Sequence, residues 1–363
     1  MLVIVGHATM AFLAPDGSPS PTLWQAALDG LGAVLNTVRM PAFFVLSGAV
    51  AAHALAHGDD ASFLRDRVVR LGLPLCTVLV LVNPIEVALR IMHGGLLGRW
   101  QQEPLTLPPI PVPAPGTGMQ HLWYLSALLA LTMMAPWLVP MVRGWLVRAG
   151  ARRASVAAIL VVAAPLAGVV LVRLGWRLTP HLGVLTRWQL VDPGAIAGGL
   201  GFFVTGIVLA IDDSPLRWLV SHRRLLYAIV AAGACAVLVL DPWGPAAERL
   251  PREFVAALVA LPMFAMLLVG AARVGRFAPM LARYAAASYT TYLLHHVVVV
   301  ATAVGAITLL GVTPLAFVLV LLTGLAVPLL LHERLVVGSA GLRFLLNGEA
   351  LDASGDRISV NQT

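Results

Sequence analysis

Three histidines, His7, His121 and His295, fall inside apolar segments of membrane length, and an arginine, Arg39, interrupts another. A charged side chain at the centre of a bilayer costs about 3 kcal/mol on insertion scales, so ionisable residues at these depths point to function. A neutral imidazole can take a proton from a hydroxyl. A guanidinium stays charged at any biological pH and suits a carboxylate or a developing oxyanion. Together these groups describe proton transfer coupled to anion stabilisation inside a membrane.

Each residue sits in a local pattern. Gly6-His7-Ala8 lies in the opening span, where a histidine hydrogen-bonded to a neighbouring helix would look the same. Arg39 opens Arg39-Met40-Pro41-Ala42-Phe43-Phe44-Val45-Leu46-Ser47-Gly48, an arginine followed by a proline-kinked apolar stretch. A structural ion pair with Glu86 is its plain alternative, but Glu86 has a nearer candidate in Arg90, one helical turn away on the same face. His121 is followed by Leu122-Trp123-Tyr124-Leu125, whose aromatic pair fits an interfacial belt without any catalytic role. In Ser288-Tyr289-Thr290-Thr291-Tyr292-Leu293-Leu294-His295-His296, residues Ser288, Tyr292 and His295 recur at i, i+4 and i+7 on one helix face. His296 is turned about 100° away, which places one of the two histidines at an interface.

The elements that must position these groups are read from composition and apolar runs. With 59% hydrophobic and 11% charged residues and a mean hydropathy of +0.89, the chain is polytopic. All 24 cationic residues are arginines, scattered in short loops with no patch on a soluble face, which excludes a nucleic-acid partner. The two cysteines, Cys76 and Cys235, each fall in a span and read as small buried apolar residues. No metal site and no bound cofactor are expected.

Spans are predicted near 1–14, 31–57, 71–92, 121–142, 154–174, 193–211, 225–240, 254–272, 284–305 and 313–331, an all-α bundle of about ten transmembrane helices. Sixteen arginines fall in the alternate loops and tail that include Arg65, Arg67 and Arg70, against five on the opposite side. The positive-inside rule therefore puts both termini in the cytoplasm. The segment 103–118, with six prolines, reads as an extended outer loop. Residues 1–346 form one membrane domain and 347–363 a polar cytoplasmic tail.

These patterns, in this order, resemble the membrane acyltransferase-3 family, and within it the glucan biosynthesis protein C type that succinylates periplasmic glucans. The resemblance runs from Met1 to Gly348. It is carried by Arg39–Gly48, Arg67-Val68-Val69-Arg70-Leu71-Gly72-Leu73-Pro74, His121–Leu125, Ser288–His296 and Leu342-Arg343-Phe344-Leu345-Leu346-Asn347-Gly348.

The resemblance implies a multi-pass bacterial inner-membrane enzyme that moves an acyl group, succinyl or acetyl, from cytosolic acyl-coenzyme A to a carbohydrate hydroxyl, a periplasmic glucan. His7 matches the family's catalytic histidine and is assigned as base or transient acyl carrier. Arg39 faces the oxyanion or a carboxylate, and His121 and His295 complete the site. Arg65, Arg67 and Arg70 are candidates for the coenzyme's phosphates, with positive-inside anchoring as their plain alternative. Trp123, Ser288 and Tyr292 are candidates for substrate contact. The family carries an arginine ten residues before that histidine. Here only six residues precede His7, and with the shortness of the first span the expectation is a truncated start.

Other acyl-transfer chemistries lack support: there is no G-x-S-x-G elbow and no H-x-x-x-D arrangement, and without lysine there is no P-loop. A secondary transporter would also place ionisable groups at the midplane, and glycines such as Gly194, Gly198, Gly199, Gly201 and Gly206 suit either class. No repeat of the histidines and Arg39 in a second half accompanies them. Another exported polysaccharide or a lipid-linked sugar is an open alternative acceptor.

Overall fold

In the computed structural model, residues 2–13, 22–93, 96–97, 119–178, 192–240, 246–273 and 278–349 are described. Among them every regular element is helical. The helices are α1 (Leu2–Phe12), α2 (Leu23–His57), α3 (Asp60–Arg67), α4 (Leu73–Leu81), α5 (Asn83–His93), α6 (Trp123–Arg148), α7 (Arg153–Leu178), α8 (Pro193–Ile211), α9 (Ser214–Ser221), α10 (Arg223–Val239), α11 (Ala246–Arg273), α12 (Ala278–Leu310), α13 (Pro314–Leu331) and α14 (Ala340–Asn347).

Eight segments among the described residues are long and apolar enough to cross a membrane, and nine if the pair α9 and α10, bent by 92°, counts as one. The apolar helix α1 is shorter. All ten predicted spans thus meet a helix, and several of the helices run longer than read. The second begins eight residues earlier than read, at Leu23, and the third is a composite running Asp60–His93. Pro41 sits inside α2 without ending it. In the composite, one wide π-helical turn at Val68–Gly72 joins α3 to α4; such turns cluster at functional sites. The proline-rich segment 103–118 and the tail beyond residue 349 lie outside the described residues.

Close packing is set by small residues where helix backbones meet. A Cβ on Gly48 of α2 would run into the Phe203 carbonyl of α8, and one on Gly206 of α8 into the Val45 carbonyl of α2. Gly201 meets the Ala164 carbonyl of α7 in the same way. In a bilayer, where lipid competes for apolar contacts, such backbone approach supplies much of the packing energy. The glycine-rich sixth span is thereby the central helix between α2 and α7.

The cysteine expectation is corrected: Cys76 and Cys235 are both exposed, on the outside of the bundle. Within a span an exposed position is still apolar territory, so a small hydrophobe is tolerated on either face.

Candidate active site

Helix α12 organises the site because it is enclosed on two sides. It packs against α13, α1 and α5 and is tied to the turn before α6. His295 is fully buried and His296 is 3% exposed, so neither is interfacial. The helical repeat separates the two rings by about 100°, but α1 and α5 cover the face to which His296 turns.

Four imidazoles meet there. The His7 ring centroid lies 4.5 Å from that of His296, 5.3 Å from His295 and 6.4 Å from His121. His121 stacks on His296 at 4.6 Å with an interplanar angle of 14°. The sequence-predicted histidines therefore converge, and His296 joins them.

The tautomers of two rings follow from their partners. His121 Nε2 lies 3.3 Å from the Leu293 carbonyl, and a carbonyl only accepts, so Nε2 carries the hydrogen. His295 Nδ1 lies 2.7 Å from the Tyr292 carbonyl and 3.1 Å from that of Thr291, which places its hydrogen on Nδ1. The free nitrogens, His121 Nδ1 and His295 Nε2, are buried and make no hydrogen bond among the described residues. Each is a lone pair available to a proton or another electrophile.

Glu86 and Arg90 form the ion pair that their spacing foretold, at 3.9 Å, and both are 1% exposed. The carboxylate also reaches the histidines: Oε1 is 2.8 Å from His296 Nδ1 and Oε2 is 3.9 Å from His121 Nδ1. Glu86, His121 and His296 hold their donor atoms within 4.8 Å of one another, the one metal-capable cluster among the described residues. A glutamate and arginine four apart in an apolar span was the signal for this corner. Its approach to His296 lay beyond any local pattern.

Arg39 comes in from α2. Its terminal nitrogen NH2 donates to Asn36 Oδ1 at 2.7 Å, while NH1 and Nε are buried with no hydrogen-bond partner among the described residues. NH1 occupies the space where a Cβ on Gly6 would sit. This explains the glycine preceding His7: it lets the cation touch the α1 backbone one residue from the imidazole.

A cavity of about 610 Å³ opens beside His295. Its lining includes Ser288, Tyr292 and His295, the stripe read from the sequence, together with Tyr124 and Tyr289, which the sequence reading had not assigned. The Tyr292 ring faces the cavity, but its hydroxyl is spent on the His121 carbonyl at 2.8 Å. Trp123 is half-buried, stands perpendicular to Tyr124 at 6.3 Å and does not line this cavity.

Of the three loop arginines, Arg65 and Arg70 are exposed. Arg67 lies over the Phe63 ring at 5.2 Å and lines a second cavity, of about 210 Å³, with Ser47 and Thr132. Leu71 and Leu128 line both cavities, so the Arg67 pocket adjoins the one at His295.

Three of the quoted motifs meet in space. Tyr289 Oη donates to the Arg70 carbonyl at 3.0 Å, and Thr290 Oγ1 donates to Asn347 Oδ1 at 3.0 Å. Gly348, at φ 64°, sits so close to the Val69 and Arg70 backbone that a Cβ would not fit. Both the left-handed φ and the contact require glycine there.

The family model for the acyltransferase domain matches residues 1–333. The chain belongs to the acyltransferase-3 family. It is a multi-pass membrane O-acyltransferase, and the buried histidine cluster sits within the matched domain. No curated protein and no solved structure matches this chain.

Proposed function

We propose that this acyltransferase takes an acyl group from cytosolic acyl-coenzyme A and esterifies a carbohydrate hydroxyl on the far side of the membrane, with His7 as the base. The observation that carries the reading is the junction of two cavities, one lined by Arg67 and one by His295, beside the imidazole cluster that contains His7. A cationic pocket next to one that reaches the imidazole cluster is what a phosphorylated donor and a hydroxyl acceptor need.

In the reaction, a lone pair on His7 takes the proton of the acceptor hydroxyl as its oxygen attacks the thioester carbonyl carbon. The charge that develops on the carbonyl oxygen is stabilised by Arg39, whose unpartnered nitrogens stand at the α1 backbone next to His7. Collapse breaks the carbon–sulfur bond, and the departing thiolate takes the proton from the His7 imidazolium. His121 and His295, each fixed by a hydrogen bond to a carbonyl, hold His7 in place and shape the pocket. Arg67 holds a coenzyme phosphate, aided by the exposed Arg65 and Arg70.

The lining bears on the choice of donor. The cavity at His295 carries tyrosines, a serine and a threonine but, among the described residues, no cation. Among the described residues, Arg39 is the cation beside His7 that would match a succinyl carboxylate, Arg90 being paired with Glu86, whereas an acetyl group needs no such partner. The resemblance favours succinyl, a glucan acceptor, the bacterial inner membrane and cytoplasmic termini. A lipid-linked sugar or another exported polysaccharide fits the same chemistry.

The test is transfer from labelled succinyl- and acetyl-coenzyme A to glucans in membranes containing the chain. Transfer abolished by His7→Ala supports the reading. Equal transfer by that variant, present at wild-type level, rejects His7 as the base.

A further inference from the structure

Glu86 and His121 pose a problem that acyl transfer does not solve. The His121 Nε2 hydrogen points to the Leu293 carbonyl, so a neutral ring turns its Nδ1 lone pair toward Glu86 Oε2, 3.9 Å away. Both partners are acceptors, both are at most 5% exposed, and neither Nδ1 nor Oε2 makes a hydrogen bond among the described residues. Two lone-pair groups facing each other in a dry interior call for a cation between them.

We propose that Glu86, His121 and His296 bind a divalent first-row metal ion, zinc by the chemistry of the donor set. The three donors come from three separate elements, α5, the turn before α6 and α12. Their ligand atoms lie within 4.8 Å of one another. Two imidazoles and a carboxylate with a further open position are the ligand set of catalytic zinc. Zinc–ligand bonds of about 2.0–2.2 Å in tetrahedral geometry separate donor atoms by roughly 3.3 Å. The Glu86 to His296 and Glu86 to His121 spacings, 2.8 and 3.9 Å, bracket that value.

The surroundings match as well. A metal-bound histidine usually donates its other N–H to a carbonyl, as His121 does to Leu293. The ligating carboxylate also pairs with Arg90 at 3.9 Å. That guanidinium opposes the charge of the ion, which places the site among exchangeable centres rather than closed structural ones. The His7 ring is 4.5 Å from that of His296. An ion there lies beside the base, where it can polarise an oxygen.

The inference stands on the geometry of the three ligands and does not depend on the acyl-transfer reading. The full chain, purified in detergent without chelator, is analysed for its metal content and, after exchange, for the visible absorption of cobalt(II). About one zinc per chain is expected, with cobalt bands of four-coordinate type. Loss of the ion in Glu86→Gln and His121→Gln, and retention in His296→Cys, whose thiolate can ligate, support the site. Wild-type protein that is monodisperse yet takes up neither metal overturns it, leaving a proton as the cation between Glu86 and His121. Undiminished zinc in the two glutamine variants also overturns it, by placing the ion elsewhere. If those variants do not fold, the wild-type cobalt spectrum decides alone. Zinc without acyl transfer supports the site while counting against the donor reading; transfer by a metal-free chain does the reverse.

Discussion

Tyr292 donates its hydroxyl to the main-chain carbonyl of His121 at 2.8 Å, fastening α12 to the turn that leads into α6. One bond thus holds the carrier of His295 and His296 to the backbone of a third histidine. Tyr292→Phe keeps the ring that faces the cavity and removes the hydrogen bond to this carbonyl, a loss of about 1 kcal/mol. We expect a lower Tm and a reduced kcat with little change in donor KM, because the hydroxyl positions the histidines and does not touch the donor. A raised KM with unchanged kcat would instead make Tyr292 a substrate contact.

Gly6 is the point where α1 yields to Arg39. Gly6→Ala puts a methyl group where NH1 now lies. The far end of a flexible side chain can move, so the fold survives with a near wild-type Tm. The cation, however, leaves its place next to His7, and a displacement of about 1 Å can cost on the order of 100-fold in rate. A stable, well-expressed variant with wild-type transfer would show that Arg39 does not act from this position.

The helical class and the spans were legible because apolar runs of membrane length leave few alternatives. The convergence of His7, His121 and His295 was legible only through their shared rarity in apolar segments. His296 was misplaced because a helical wheel gives an angle and not the neighbours: α1 and α5 enclose the face it turns to. Cys76 and Cys235 were misplaced for the converse reason, since an apolar residue in a span is equally at home inside or outside the bundle. Trp123 and Tyr124 are adjacent, yet only Tyr124 lines the cavity. That choice depends on how α6 rotates against α2, which a local pattern does not record.

Outside the spans, Asp212 joins two elements. It accepts from the Ser214 amide at 3.0 Å and pairs with Arg153 Nε at 3.0 Å. Hydrogen bonding from Ser214, and then the Arg153 guanidinium, hold its carboxyl below the usual carboxylate range. A group so shifted stabilises the fold above its unfolded pKa of about 3.9 and loses that contribution as pH falls through the folded value. Asp212→Asn should therefore lower Tm at pH 7, with the gap to wild type closing below about pH 4. A gap independent of pH would assign the effect to lost hydrogen-bond geometry instead of charge.

Arg39 offers the sharpest discrimination between donors. Among the described residues it is the cation that stands at the α1 backbone beside His7 with buried nitrogens lacking a hydrogen-bond partner, and no described residue lining the cavity at His295 is a cation. If the guanidinium stabilises only the oxyanion, Arg39→Gln depresses kcat for succinyl- and acetyl-coenzyme A alike, by roughly 100- to 1,000-fold as for one oxyanion donor. If it also grips the succinyl carboxylate, the succinyl donor loses an additional charge-assisted contact, and its kcat/KM falls further than that of acetyl by about tenfold. We expect the second pattern. Comparing both donors on Arg39→Gln and on Arg39→Lys checks it: lysine restores the charge without the planar fork, so the succinyl preference should return in part while the rate stays low. Equal losses for the two donors would remove the structural basis for succinyl over acetyl.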